Sequence, residues 1–238
     1  MGKGKRRKEK ANESRSRLKV AVAMLTDDRV FADTSFSVLE MFSFSMMQGI
    51  EMTWVNPKVS RIETGRNMSV SQTKEMNADY VLFVDSDMIC DREALVKLLN
   101  RNVDIVGCNA AKRTVPFLPV YTEDINGEFL NFQEGKIYEM DYVGMAFTLI
   151  KMSVFEKLEE PYYFAEFDES KMMPLGEDIC FCRAARKKGF KIWCDMDVSM
   201  SIGHIHTQAL YLPKDFTKEY MEERLSEVER VKASIIGS

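Results

Sequence analysis

Residues 80–88 read YVLFVDSDM, an apolar run of five followed by Asp85, Ser86 and Asp87. A run of strand length that is apolar throughout suits a strand buried on both faces of a sheet. Two carboxylates at its end stand where open α/β sheets place ligands, beyond the carboxyl ends of the strands. The fold therefore turns on whether the flanking chain supplies further strands and the helices that cover them.

LKVAVAML (18–25) reads as another buried strand, and SFSVLEMFSFSMMQG (35–49) has helical period and stops at Gly49. EMTWV follows as a strand, RNMSVSQTKEMNA (66–78) as a helix, DREALVKLLN (91–100) as a helix capped by Asp91, and VDIVGC (103–108) as a strand. This β-α-β-α-β-α-β rhythm predicts an α/β fold with a mostly parallel central sheet flanked by helices. The second half is less regular. A Pro-containing, aromatic stretch (113–141) precedes the apolar run YVGMAFTLI (142–150) and a short helix, MSVFEKL. PLGEDICFCRAARKKGF then gives a helix ending at Gly189, and KIWCD a strand. No linker divides the halves, so a single domain is expected over 18–212. A basic tail (1–17), expected to be disordered, precedes it. An amphipathic helix (213–238), with Phe216, Tyr220, Leu225, Val228, Val231 and Ile235 on one side, follows it.

The 238 residues, 45% hydrophobic and 29% charged, fit one large domain or two small ones. No apolar segment approaches the ~18 residues that span a bilayer. LKVAVAML runs into Thr26-Asp27-Asp28 without a small-residue cleavage site, and Arg6 stands where a myristoylation motif wants Ser or Thr. The expected location is the cytoplasm, that of the host if the chain is viral. Five cysteines, an odd number with no C-x-x-C pair, read as reduced, packed thiols. Residues 1–19 hold nine Lys or Arg against two Glu, a net +7. The overall −4 leaves −11 for the rest, which argues against a broad nucleic-acid-binding face.

Three clusters carry chemistry. Asp85 and Asp87 offer hard oxygen ligands suited to Mg²⁺ or Mn²⁺, with positions left for substrate phosphates; equally, one of them can cap a turn. Gly176-Glu177-Asp178 opens a helix, where acids are favoured by capping and by the helix dipole, or where a carboxylate can serve as general base toward a hydroxyl. Gly203-His204-Ile205-His206 contains both histidines of the chain. These are polar loop residues, or one imidazole completes the coordination of an ion held by the aspartates.

In order and spacing these elements resemble the nucleotide-diphospho-sugar glycosyltransferases of the GT-A fold, particularly compact bacterial and bacteriophage members. The likeness is carried by VAVAMLT, GRN (65–67), YVLFVDSDM, DIVG with AKR (111–113), YVGMAFTLIKMSVFEKL, GEDICFCRAARKKGFKIWCD and the final GH, over roughly 18–206. It implies a metal-dependent enzyme, inverting with a carboxylate base, that moves a sugar from a nucleoside-diphosphate donor to a hydroxyl acceptor. The implied cofactors are Mn²⁺ or Mg²⁺ and a UDP- or GDP-sugar. The acceptor class is open: glycan, protein or modified nucleic acid. Oligomers are compatible with it.

The resemblance also implies residue roles. Asp87 ligates the metal, Asp85 supports it or contacts the ribose, with Ser86 between them, and His204 is a further ligand, with His206 as its alternative. Asp178 is the base, and Glu177 an acceptor contact or substitute. Arg66, Lys112 and Arg113 match positions that serve the diphosphate, a role Arg61 could share. Thr26 lies where the nucleotide base packs, and Gly144 and Met145 lie on the acceptor side. Two other classes remain: a nucleotidyltransferase acting on sugar phosphates, whose Gly-rich loop is missing from TDDRVFADTS, and a non-catalytic carbohydrate- or nucleic-acid-binding protein of the same fold.

Overall fold

In the computed structural model the described residues are 17–26, 29–113, 119–131, 134–168 and 172–206, together with Ser226 and Arg230. The first half runs β1 (Lys19–Leu25), α1 (Ala32–Met47), β2 (Glu51–Val55), α2 (Ile62–Glu75), β3 (Tyr80–Asp85), β4 (Met88–Cys90), α3 (Ala94–Asn100) and β5 (Ile105–Gly107). The second runs β6 (Ile137–Met140), β7 (Phe147–Lys151), α4 (Met152–Phe155), β8 (Glu166–Asp168), β9 (Met173–Leu175), α5 (Glu177–Lys187), β10 (Ile192–Asp195), α6 (Met196–Ser199) and β11 (Ile202–His204).

Seven strands form the central sheet in the order β2-β1-β3-β7-β5-β10-β6. β2, β1, β3, β5 and β10 all run one way, while β7 and β6 oppose them. The mostly parallel α/β sheet is the expected one, but β7 enters antiparallel between β3 and β5. Phe147 to Ile150 are buried, and a doubly covered strand is apolar throughout whichever way it runs, so its direction left no mark in the sequence.

Alternate residues of β1 feed two cores, one on each sheet face. Val20, Val22 and Met24 pack with Val38, Met41, Leu95 and Leu98. Ala21 and Ala23 join Val70, Phe83, Phe155, Tyr163 and Phe181. The alanines let α2 lie close to β1, and Gly65 completes the approach. A Cβ at Gly65 would stand 2.8 Å from both Leu25 Cδ2 and Val59 Cγ2. This packing presses the next residue, Arg66, against the sheet, with its guanidinium 5.3 Å from the centre of the Phe83 ring.

Some boundaries differ from expectation. α2 begins at Ile62 rather than 66, and α3 begins at Ala94 rather than 91. Asp91 Oδ1 accepts from Glu93 N–H at 2.9 Å, so this aspartate caps a turn that precedes the helix. Gly49 and Gly189 adopt φ of +85° and +90° just beyond α1 and α5, as helix-ending glycines do. All five cysteines are buried and free, and burial pushes the thiols of Cys90, Cys182 and Cys194 up to about 12.

The chain falls into two units, Met1–Ile205 and His206–Ser238. In the second, His206 is exposed, and Ser226 and Arg230 are helical, with Arg230 Nη2 donating to Ser226 Oγ at 3.2 Å. The rest of the expected 213–238 helix, and the basic tail up to residue 16, lie outside the described residues. Among the described residues no helix is long and apolar enough to cross a membrane.

Candidate active site

Arg66 is the centre of the site. Its side chain is only 3% exposed, and such a charge must be paired to be tolerated. Nε donates to Glu177 Oε1 at 3.0 Å, Nη2 to Asp85 Oδ1 at 3.3 Å, and Nη1 reaches the Met145 carbonyl at 3.5 Å. One buried guanidinium thus ties the end of β3 to the start of α5. Two of the sequence clusters, DSD and GED, meet at it.

The third cluster joins through backbone pairing. Directly after DSD the chain forms β4, which pairs antiparallel with β11, setting His204 opposite Met88. Ile205 N–H donates to the Asp87 carbonyl at 2.8 Å. His204 Nε2 then lies 3.3 Å from Asp87 Oδ2, while Nδ1 lies 2.8 Å from the Ala111 carbonyl. A carbonyl can only accept, so Nδ1 carries a hydrogen and the lone pair of a neutral ring sits on Nε2, facing a carboxylate oxygen. A protonated ring would donate from Nε2 to that oxygen directly. Arg113 adds a positive charge there, with Nη1 2.8 Å from the same Asp87 oxygen.

The donor set, a carboxylate oxygen and an imidazole nitrogen whose other ring nitrogen is fixed by a carbonyl, fits Mn²⁺ or Mg²⁺. Among the described residues no three of His, Cys, Asp and Glu gather at ion-holding spacing. Asp85, expected in that set, is instead turned to Arg66. A cation at Asp87 and His204 would complete its shell with water and substrate oxygens, as Mg²⁺ commonly does.

Asp178 stands one residue beyond Glu177 on α5. Its Oδ1 accepts from Ile179 N–H at 2.8 Å. A Cβ at Gly176 would come within 2.6 Å of that oxygen, so glycine there leaves the carboxylate its place. Burial holds the Asp178 carboxyl above the usual aspartate range. The Ile179 N–H opposes this, the Glu177 charge adds to it, and Arg66 opposes it again.

The remaining expected residues are less closely gathered. Thr26, buried at the end of β1, has its Oγ1 3.0 Å from Asn56 Oδ1, just past β2. The Ser86 carbonyl accepts from Phe31 N–H at 3.4 Å. Lys112 is exposed beside Arg113. Arg61 Nε pairs with Glu63 Oε1 at 2.8 Å. Gly144 is half-buried, and Met145 is buried and presents its carbonyl to Arg66. Asn56, immediately after β2, and Tyr121, in the irregular stretch without periodicity, lie beside these residues and were not among those expected.

Neither a family model nor a curated protein matches the sequence. Solved structures of similar shape include a protein from STIV, 14% identical, covering 84% of this chain and all of that one, with a TM-score of 0.49. A mutant Drosophila β1,4-galactosyltransferase 7, in complex with manganese, UDP-Gal and xylobiose, is 17% identical over 86% of this chain and 79% of that one, with a TM-score of 0.47. A glycosyltransferase involved in glycosylation of the major capsid of PBCV-1 is 9% identical over 61% of this chain and 68% of its own, with a TM-score of 0.35.

Proposed function

We propose that the chain is a metal-dependent glycosyltransferase that moves a sugar from a nucleoside-diphosphate donor to a hydroxyl. The observation that carries this is the Arg66 bridge. It ties Asp85, at the end of β3, to Glu177, at the start of α5, and so supports a reading in which Asp87, just past β3, its neighbour His204 and the half-buried Asp178 next to Glu177 act together.

Glycosyl transfer needs charge stabilised on the leaving group and a proton removed from the attacking one. Asp87 and His204 would hold Mn²⁺ or Mg²⁺, which when bound neutralises charge on the departing diphosphate. Arg113, more than half exposed and already on Asp87, supplies a second positive charge at that place, with Lys112 beside it. Arg66 is occupied by Glu177, Asp85 and the Met145 carbonyl, and its role here is to position those acids. Thr26 and Asn56 sit at the strand ends where the nucleoside would lie, and Asp85, a third exposed, would face the ribose.

Asp178 takes the proton from the acceptor hydroxyl as its oxygen bonds to the anomeric carbon. The bond from that carbon to the diphosphate oxygen breaks, and its electron pair leaves with the nucleoside diphosphate. Displacement from the opposite side inverts the anomeric centre. The raised range of the Asp178 carboxyl suits a base that must accept a proton.

The test is a panel of UDP-, GDP- and other nucleotide sugars incubated with Mn²⁺, with release of nucleoside diphosphate as readout. One donor is expected to be bound and slowly cleaved. Cleavage of a nucleoside triphosphate to pyrophosphate instead, or no turnover of any donor, would sink the proposal.

A further inference from the structure

Beside Asp178 lies a side chain that the reaction above does not use. Tyr121 is fixed by its backbone: Asn109, itself 7% exposed, donates from Nδ2 to the Tyr121 carbonyl at 2.7 Å and accepts from its N–H at 3.0 Å. Tyr142 packs edge-on against the ring, with centroids 5.5 Å apart. The phenol points toward Gly144, whose missing side chain leaves a notch. A Cβ there would lie 3.5 Å from the Tyr121 hydroxyl and 3.9 Å from Asp178 Oδ2. The two oxygens share that notch without bonding to each other, and burial, with the nearby Asp178 charge second, holds the phenol protonated well past neutrality. A donor and an acceptor that flank a gap they do not close can be bridged by a third oxygen.

We propose that this notch seats the acceptor hydroxyl, with Tyr121 O–H donating to its oxygen and Asp178 accepting its hydrogen, and that the acceptor is an uncharged carbohydrate. This rests on the glycosyl-transfer reading above and names the substrate of that same site. The carbohydrate class follows from the adjoining surface. A cavity of about 310 Å³ shares Tyr121 with the notch and is lined also by Tyr142, Met140, Glu123, Asp124 and Asp141. Aromatic faces and carboxylate acceptors suit the apolar faces and hydroxyl donors of a sugar. Among the described residues no Lys or Arg lines the cavity, although Arg186 pairs with Asp141 from outside it. A phosphodiester or phosphorylated acceptor would bring its anion against Asp178, Glu123 and Asp124, an arrangement that selects against it.

Ligand-observed NMR would test this with neutral methyl glycosides, the corresponding sugar phosphates and a single-stranded oligonucleotide. Wild type is compared with Tyr121→Phe and Gly144→Ala, and nucleotide-sugar binding is measured separately by calorimetry. At least one neutral glycoside is expected to bind wild type and to weaken about tenfold or more in both variants, the cost of one lost hydrogen bond or a filled notch. The Gly144→Ala methyl would make only ordinary contacts, so that variant keeps the test decisive should Tyr121→Phe not fold. Donor binding by wild type together with equal glycoside binding by all three proteins, or with preference for the phosphates or the oligonucleotide, overturns this inference and leaves the proposed function standing. Absence of donor binding by wild type overturns that function and this inference with it.

Discussion

Replacing Arg66 by Met removes the charge paired with two carboxylates while keeping an unbranched apolar stem. The bond to Glu177, 3.0 Å long between side chains 3% and 14% exposed, is charge-assisted and contributes ~1.5–3 kcal/mol. The Asp85 partner, at 3.3 Å and 33% exposed, is screened by solvent and adds at most ~1 kcal/mol. Packing over Phe83 contributes ~0.5–1 kcal/mol. Removing one member of such a pair also strands Glu177 beside Asp178, so the expected loss is ~3–5 kcal/mol. At ~2–4 °C per kcal/mol for a domain of this size, the midpoint of thermal unfolding should fall by roughly 6–20 °C. Circular dichroism melts at pH 7 read this directly. Adding Glu177→Gln removes the stranded charge and should restore part of the loss, a coupling of ~0.5–3 kcal/mol. A fall of less than ~3 °C for Arg66→Met, or no recovery in the double variant, would refute the buried bridge.

Other outcomes follow from the same geometry. Asp178→Asn should leave donor binding nearly intact while transfer falls ~100-fold or more. Because burial raises the Asp178 carboxyl in the folded state, its stabilising contribution is complete at low pH and lost as pH rises through that raised value. The Asn variant should therefore melt higher than wild type near neutrality, with the gap closing in acid, and the acid limb of wild-type transfer should lie above the usual aspartate range. Equal melting of the two proteins at pH 7 would count against this. Gly107→Ala would bring a Cβ to 2.6 Å from Thr148 Oγ1 and 2.9 Å from Val143 Cβ, which lies too near the backbone to yield. Denaturant unfolding should show a loss of ~1–3 kcal/mol. The buried thiols should not react with a thiol reagent at pH 8 in the native state, and all five should titrate after unfolding.

The elements that position the site were legible where local pattern sufficed. The apolar run before DSD, the small residues of β1 and the helix after Gly176 each carry their structure in a short window. What stayed hidden depends on distant partners. Nothing around residue 147 shows that β7 runs antiparallel, because a buried central strand is apolar in either direction. The spacing from Asp87 to His204 does not reveal that two three-residue strands bring them together. Arg66 reads as a basic residue available to a phosphate until packing shows it buried between two acids. Tyr121 had no periodicity to mark it, since a loop residue clamped by Asn109 has no signature of its own.

On the proposed function, Asp87 and His204 hold a divalent cation that binds together with a nucleotide-sugar. Calorimetric titration of each donor into protein with and without Mn²⁺ addresses it most directly, with Asp87→Ala and His204→Ala in parallel. One donor should bind wild type in the presence of Mn²⁺ and at least tenfold more weakly without it, with both variants losing most of that gain. Donor affinity indifferent to the ion, or variants that respond to it as wild type does, would rule out a cation at this pair.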